Sequence, residues 1–110
     1  MDHNFEKQKQ ETVWVWKDIK KRNPSLPPVI DLDIQFLPHS REANKLLFKE
    51  ALENAGFVVI FYDEDETVEA KVAEVNASAA AIWDQEERAT QIAISFGFKP
   101  DGWGFLSTPR

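Results

Sequence analysis

Residues 29–37 read Val-Ile-Asp-Leu-Asp-Ile-Gln-Phe-Leu, so that Ile30, Leu32, Ile34 and Phe36 alternate with Asp31, Asp33 and Gln35. Successive side chains of a strand point to opposite faces, and this period of two predicts a half-buried strand. Its apolar row has to be covered by other elements. The chain before and after it must therefore supply amphipathic helices or a second sheet.

The rest of the chain supplies helices. Residues 4–21 carry Thr12, Val15, Trp16 and Ile19 at helical spacing, with Phe5 one to two turns earlier and Asn4 or Asp2 as N-cap. Val13-Trp14-Val15-Trp16 within it also suits a strand. Asn23-Pro24-Ser25-Leu26-Pro27-Pro28 ends the segment, because proline lacks the amide hydrogen and restrains its predecessor. After the alternating strand, Ser40 is expected to cap a helix over 41–54 whose Ala43, Leu46, Leu47, Ala51, Leu52 and Ala55 face inward, with Gly56 at C′. Residues 57–62 read as a strand apolar on both sides, and Asp63-Glu64-Asp65-Glu66 as the turn that follows.

A third strand runs from Thr67 to about Val75, with Val68, Ala70 and Val72 on one face and Glu69 and Lys71 on the other. Its parity slips at Ala73 and Glu74, the mark of a bulge. Asn76 or Ser78 caps a further helix with Ile82, Ala89, Ile92, Ala93 and Phe96 at helical spacing, ended by Gly97. Residues 98–107 form the last strand, interrupted at Asp101-Gly102. The order is helix, then β-α-β-β-α-β, which predicts an α+β, ferredoxin-like antiparallel sheet with an additional N-terminal helix. The expected organisation is a single domain over 1–110: N-terminal helix 4–22, proline-containing linker 23–28, core 29–107. The uncovered face should carry Asp31, Asp33, Glu69 and Lys71, unless the N-terminal helix lies across it.

Charge narrows the function. The net charge is -6, which argues against direct contact with a nucleic-acid backbone. Lys7, Lys9, Lys17, Lys20, Lys21 and Arg22 nevertheless cluster in the first segment, so a protein partner, or packing of that segment on its own domain, is the expectation. Trp14 and Trp16 among these lysines suit either such packing or an anionic surface. Cysteine is absent, and His3 and His39 have no companions at ligand or nucleophile spacing, so neither a metal, a cofactor nor a catalytic set is expected. Residues 1–6 lack the apolar core of a signal peptide and no run reaches membrane-spanning length, which points to the cytoplasm and to no membrane partner. Asp84, Glu86 and Glu87 are read as early residues of the last helix, favoured by its dipole. The run Asp63, Glu64, Asp65 and Glu66 is either a solvated turn or a docking patch for a basic partner.

The stretch Phe98-Lys99-Pro100-Asp101-Gly102-Trp103-Gly104-Phe105 holds a bulky Trp between two glycines. Gly102 and Gly104 suggest a turn or bulge that aims and makes room for the indole. Trp103 is then either packed under the last helix or an exposed interface anchor. The four residues Asp101, Gly102, Trp103 and Gly104 resemble the Asp-Gly-Trp-Gly signature of the RraB family, regulators of ribonuclease E activity. The upstream layout is also similar: a helix containing Glu11-Thr12, an alternating strand, a helix ending in Ala55-Gly56-Phe57-Val58, an acidic hairpin, and a helix leading into the signature. The resemblance implies a non-enzymatic bacterial protein that binds ribonuclease E, or its associated complex, and inhibits or redirects its cleavage of RNA. It implies a structural role for the signature and makes the acidic hairpin a candidate contact surface. Known relatives continue into a strongly acidic tail where this chain reads Ser107-Thr108-Pro109-Arg110, and its first helix is more basic than theirs.

Overall fold

The computed structural model describes residues 3–62, 64 and 66–106. These form α1 (Phe5–Arg22), β1 (Val29–Pro38), α2 (Lys45–Asn54), β2 (Val58–Tyr62), β3 (Thr67–Asn76), α3 (Ala79–Ser95) and β4 (Phe98–Leu106). The strands make one antiparallel four-stranded sheet in the order β2-β3-β1-β4. The expected Asp2 cap and the strand end at Ser107 lie outside the described residues.

Local chemistry sets the helix ends. The Asn4 side chain accepts from the Lys7 amide at 2.9 Å, and Lys20, Lys21 and Arg22 fill the last turn of α1, where cations meet the negative end of the helix dipole. Ser78 caps α3 by accepting from the Ala81 amide. α2 corrects the expected start: its cap is Asn44, which accepts from Leu47 at 3.1 Å, and not Ser40. Residues 40–44 are instead held as a turn against the end of α3. The Asn44 amide donates to the Phe96 carbonyl and the His39 amide to that of Gly97. Gly97, at φ +84°, leaves no room there for a side chain, since a Cβ would stand 2.7 Å from Ser40 Oγ and 2.9 Å from Ala43 Cα.

The later start of α2 changes its inward stripe. Phe48 and Leu52 are fully buried, whereas Leu46 and Leu47, expected inside, are exposed. Phe48 packs edge-on to Phe36 and lies against Phe96 and Phe98, so this aromatic cluster fixes which side of α2 meets the sheet.

β1 behaves as its pattern demands. Ile30, Leu32, Ile34 and Phe36 are buried, and the residues between them are half-exposed. The bulge expected at Ala73 and Glu74 is present. The register against β1 shifts between Ile30 and Leu32, Glu74 takes φ +58°, and its amide donates to Asp31 Oδ1 at 3.2 Å.

α1 joins the helical side. Phe105 is paired with buried Leu32, so both face the helices, and Trp16 meets the Phe105 ring edge-on at 5.9 Å. α1 thus packs beside α3 and leaves the Asp33, Glu69 and Lys71 face of the sheet uncrossed.

Candidate protein-contact surfaces

Three regions carry side chains that packing alone does not use up. The first is the seam where α1, α3 and β4 meet. Gly102 takes φ +111°, and the register against β1 shifts so that Ile34 stands opposite Trp103 and Phe36 opposite Pro100. Asp101-Gly102 is therefore the bulge that the turn-forming pair suggested, and it places Trp103 on the helical side. The indole is half-buried against the core and lines a cleft with Gln8, Thr12, Val15, Glu86 and Gly102. The glycines do not make room for it: a Cβ at either Gly102 or Gly104 would meet nothing within 4 Å, and only Gly102 has a backbone that demands glycine.

Glu86 closes this seam from below. It is 4% exposed, and it accepts from Thr12 Oγ1 at 2.5 Å and from Gln8 Nε2 at 2.8 Å. Gln8 also donates to Thr90 Oγ1 at 3.1 Å and shares a 2.6 Å hydrogen bond with His3 Nε2. Burial pushes the Glu86 carboxyl up, against the lowering effect of the Thr12 and Gln8 donors. The helix-dipole role expected for Asp84, Glu86 and Glu87 does not hold, because the first turn of α3 contains no acidic residue. The signal for Glu86 was its position: Ile82, Glu86, Ala89 and Ala93 share one stripe, which puts a carboxylate on a buried face. His3 is likewise tied into the network, with its ring 4.7 Å from Phe5. His39 is exposed.

The second region is the outer surface of α1. Trp16 is buried but Trp14, two residues away, is 70% exposed, so the tryptophan pair divides between packing and surface. The grooves beside Trp14 are lined by Lys7, Lys9, Gln10 and Lys17 among others.

The third region is the open sheet face and its β2 edge. Val58, Ile60 and Tyr62 point the same way as their partners Lys71, Glu69 and Thr67, and Lys71 in turn stands opposite Asp33. Lys71 Nζ lies 3.3 Å from both Glu69 and Asp33, and this raises its ammonium, chiefly through Glu69. A hydrogen bond to Glu69 raises the Tyr62 phenol. The polar members of this face are thus tied to one another, while Val58 at 64% and Tyr62 at 44% stay exposed. The strand runs directly into the acidic turn, where Glu64 and Glu66 are exposed. Asp63 and Asp65 lie outside the described residues. Among the described residues, no group of three or more His, Cys, Asp or Glu is placed to hold a metal ion, and no helix is long and apolar enough to cross a membrane.

Comparison with known proteins bears on all three surfaces. No curated protein matches the chain. The family model of RraB, "Regulator of ribonuclease activity B", matches residues 27–105, which takes in β1, α2, β2, β3, α3 and β4 up to Phe105 but leaves α1 outside. A match over that much of the sequence shows that the chain belongs to the RraB family.

Proposed function

We propose that this chain is a non-enzymatic regulator that binds a ribonuclease E-type endoribonuclease in the bacterial cytoplasm and inhibits or modulates its cleavage of RNA. The family match over 27–105 carries this reading. The surfaces agree with it: an exposed apolar strand edge that continues into acidic Glu64 and Glu66 suits contact with a basic protein segment. Glu86, a buried carboxylate, is committed to Thr12 and Gln8 and serves to hold α1. We also read the core as ferredoxin-like, an inference supported by central strands β1 and β3, outer strands β2 and β4, and helices gathered on one face.

A second reading, an interaction or immunity-type module with an unrelated partner, draws on α1, whose exposed Trp14 and lysines lie outside the matched residues. One experiment separates the two. The chain is immobilised, offered purified ribonuclease E without RNA, and then assayed for its effect on cleavage of a structured RNA. Binding and slowed or redirected cleavage, both weakened by charge reversal across residues 63–66, support the regulator. Neither binding nor any change in cleavage overturns it.

A further inference from the structure

We propose that β2 is a strand-addition site, which takes up an extended segment of the protein partner, apolar at alternate positions and basic toward one end, as a fifth strand of the sheet. The proposal rests on the reading of the chain as a protein-binding regulator and specifies how the contact is made.

Among the described residues β2 ends the sheet, because the strand order places β3 on one side of it and no strand on the other. An edge strand presents unpaired amide and carbonyl groups, and proteins ordinarily blunt such edges with charge, proline or a bulge. Val58–Tyr62 reads VVIFY, with no charged residue and no proline, and its pairing with β3 shows no register shift. It is a straight, uncharged edge. Val58, Ile60 and Tyr62 are exposed on the open face, so a strand laid alongside gains apolar contacts at every second residue as well as main-chain hydrogen bonds.

Charge specifies the guest. Exposed Glu64 and Glu66 stand just past the end of β2, so cationic side chains are favoured at the end of the guest that passes the turn. On the helical side Lys45 and Lys49 lie over the Phe61 ring, at 5.1 and 5.8 Å from its centroid. Basic residues of the guest therefore belong on the open face. A second copy of the chain is disfavoured, since each copy carries a net charge of -6. A pair of five-residue strands is also small beside the roughly 1,600 Å² of a standard stable interface.

The test uses the isotope-labelled protein and two synthetic peptides, acetyl-Lys-Thr-Lys-Thr-Val-Thr-Val-Thr-Val-amide, whose lysines and valines share one face and whose lysine end meets the turn in antiparallel pairing, and its counterpart with Glu for Lys. The lysine peptide is expected to shift the resonances of β2 and the turn and to slow hydrogen exchange at alternate β2 amides. The glutamate peptide should bind about ten-fold more weakly or worse. Ile60→Lys, at an exposed position, and the pair Glu64→Lys with Glu66→Lys should each weaken the lysine peptide by a similar factor. Shifts centred on Trp14 or the Trp103 cleft, absence of new β2 protection, or protection that grows with protein concentration alone would each overturn strand addition. Ile60→Lys is also tested against ribonuclease E. Full retention of binding overturns the strand mode and leaves the regulator reading intact. β2 protection by the peptide in a protein that fails to bind ribonuclease E retains the strand mode and removes the ribonuclease.

Discussion

At one edge of the sheet, β4 carries Lys99, Pro100 and the Asp101-Gly102 bulge, and Trp16 of α1 reaches across to Phe105. At the other edge, β2 has an uncharged five-residue run with Val58 and Tyr62 in the open. The same sheet thus ends once in a strand that is bent, charged and flanked by a helix, and once in a strand prepared for pairing. A bulge and a proline remove regular hydrogen-bonding sites, and a docked helix withdraws apolar surface from water. At β4 these devices serve cohesion around Asp101-Gly102-Trp103. At β2, among the described residues, cohesion comes chiefly from β3 and α2, and the outward Val58 and Ile60 are left for recognition.

The largest expected effect comes from uncovering β4. Trp16→Ala removes the buried aromatic that joins α1 to Phe105 and should lower unfolding free energy by about 3–5 kcal/mol, read by urea denaturation. The bulge comes next. Gly102→Val forces a β-branched residue to φ +111° and should cost about 1–3 kcal/mol. Gly104→Ala, with no positive φ and open space at its Cβ, should change stability by less than about 1 kcal/mol. Equal losses at the two glycines would show that this stretch of β4 needs glycine for space and not for backbone conformation.

The α1 seam should also respond to pH. Because burial raises the folded pKa of Glu86 above its ordinary 4.5, the folded state binds the extra proton. The stability this contributes is fully present below 4.5 and declines as pH rises toward the folded pKa, beyond which it stays lost. Glu86→Gln should abolish that decline, whose slope for one group is at most about 1.4 kcal/mol per pH unit. Denaturation midpoints of both proteins across the acid range check the sign, and a wild-type slope of the opposite direction would place Glu86 in a stabilised, charged state. The smallest effect is reserved for β2. Val58→Thr should change the unfolding free energy by no more than about 0.5 kcal/mol, because its side chain lies 64% exposed on the open face. A core-sized loss there would erase the contrast between the edges.

Much of this architecture was legible residue by residue. The alternation from Ile30 to Phe36 names its own buried row, and the parity slip at Ala73 and Glu74 marks a real bulge. Asp101-Gly102 announces the β4 irregularity, because few other residues tolerate the backbone it needs. Ser40 and Asn44 are both good caps, and the choice between them depends on contacts that residues 39–44 make with Phe96 and Gly97, more than fifty positions away. That choice in turn decided that Phe48, and not Leu46 or Leu47, faces the sheet.

The candidate surfaces were less legible than the fold. Trp14 and Trp16 have the same side chain and nearly the same neighbours in sequence, yet only helical phase relative to α3 buries one and exposes the other. Glu86 resembles its acidic neighbours until Gln8 and Thr12 arrive from α1 to hydrogen-bond it. What the amino-acid sequence determined by itself is what local physics decides: periodicity, caps, proline stops, the glycine bulge and the balance of charge. Which helix covers which edge, which tryptophan is left in water and which carboxylate loses it depend on surfaces brought together from distant parts of the chain. Burial is a property of the assembled layers, so the tertiary structure alone decided the seam at Glu86 and the open edge at β2.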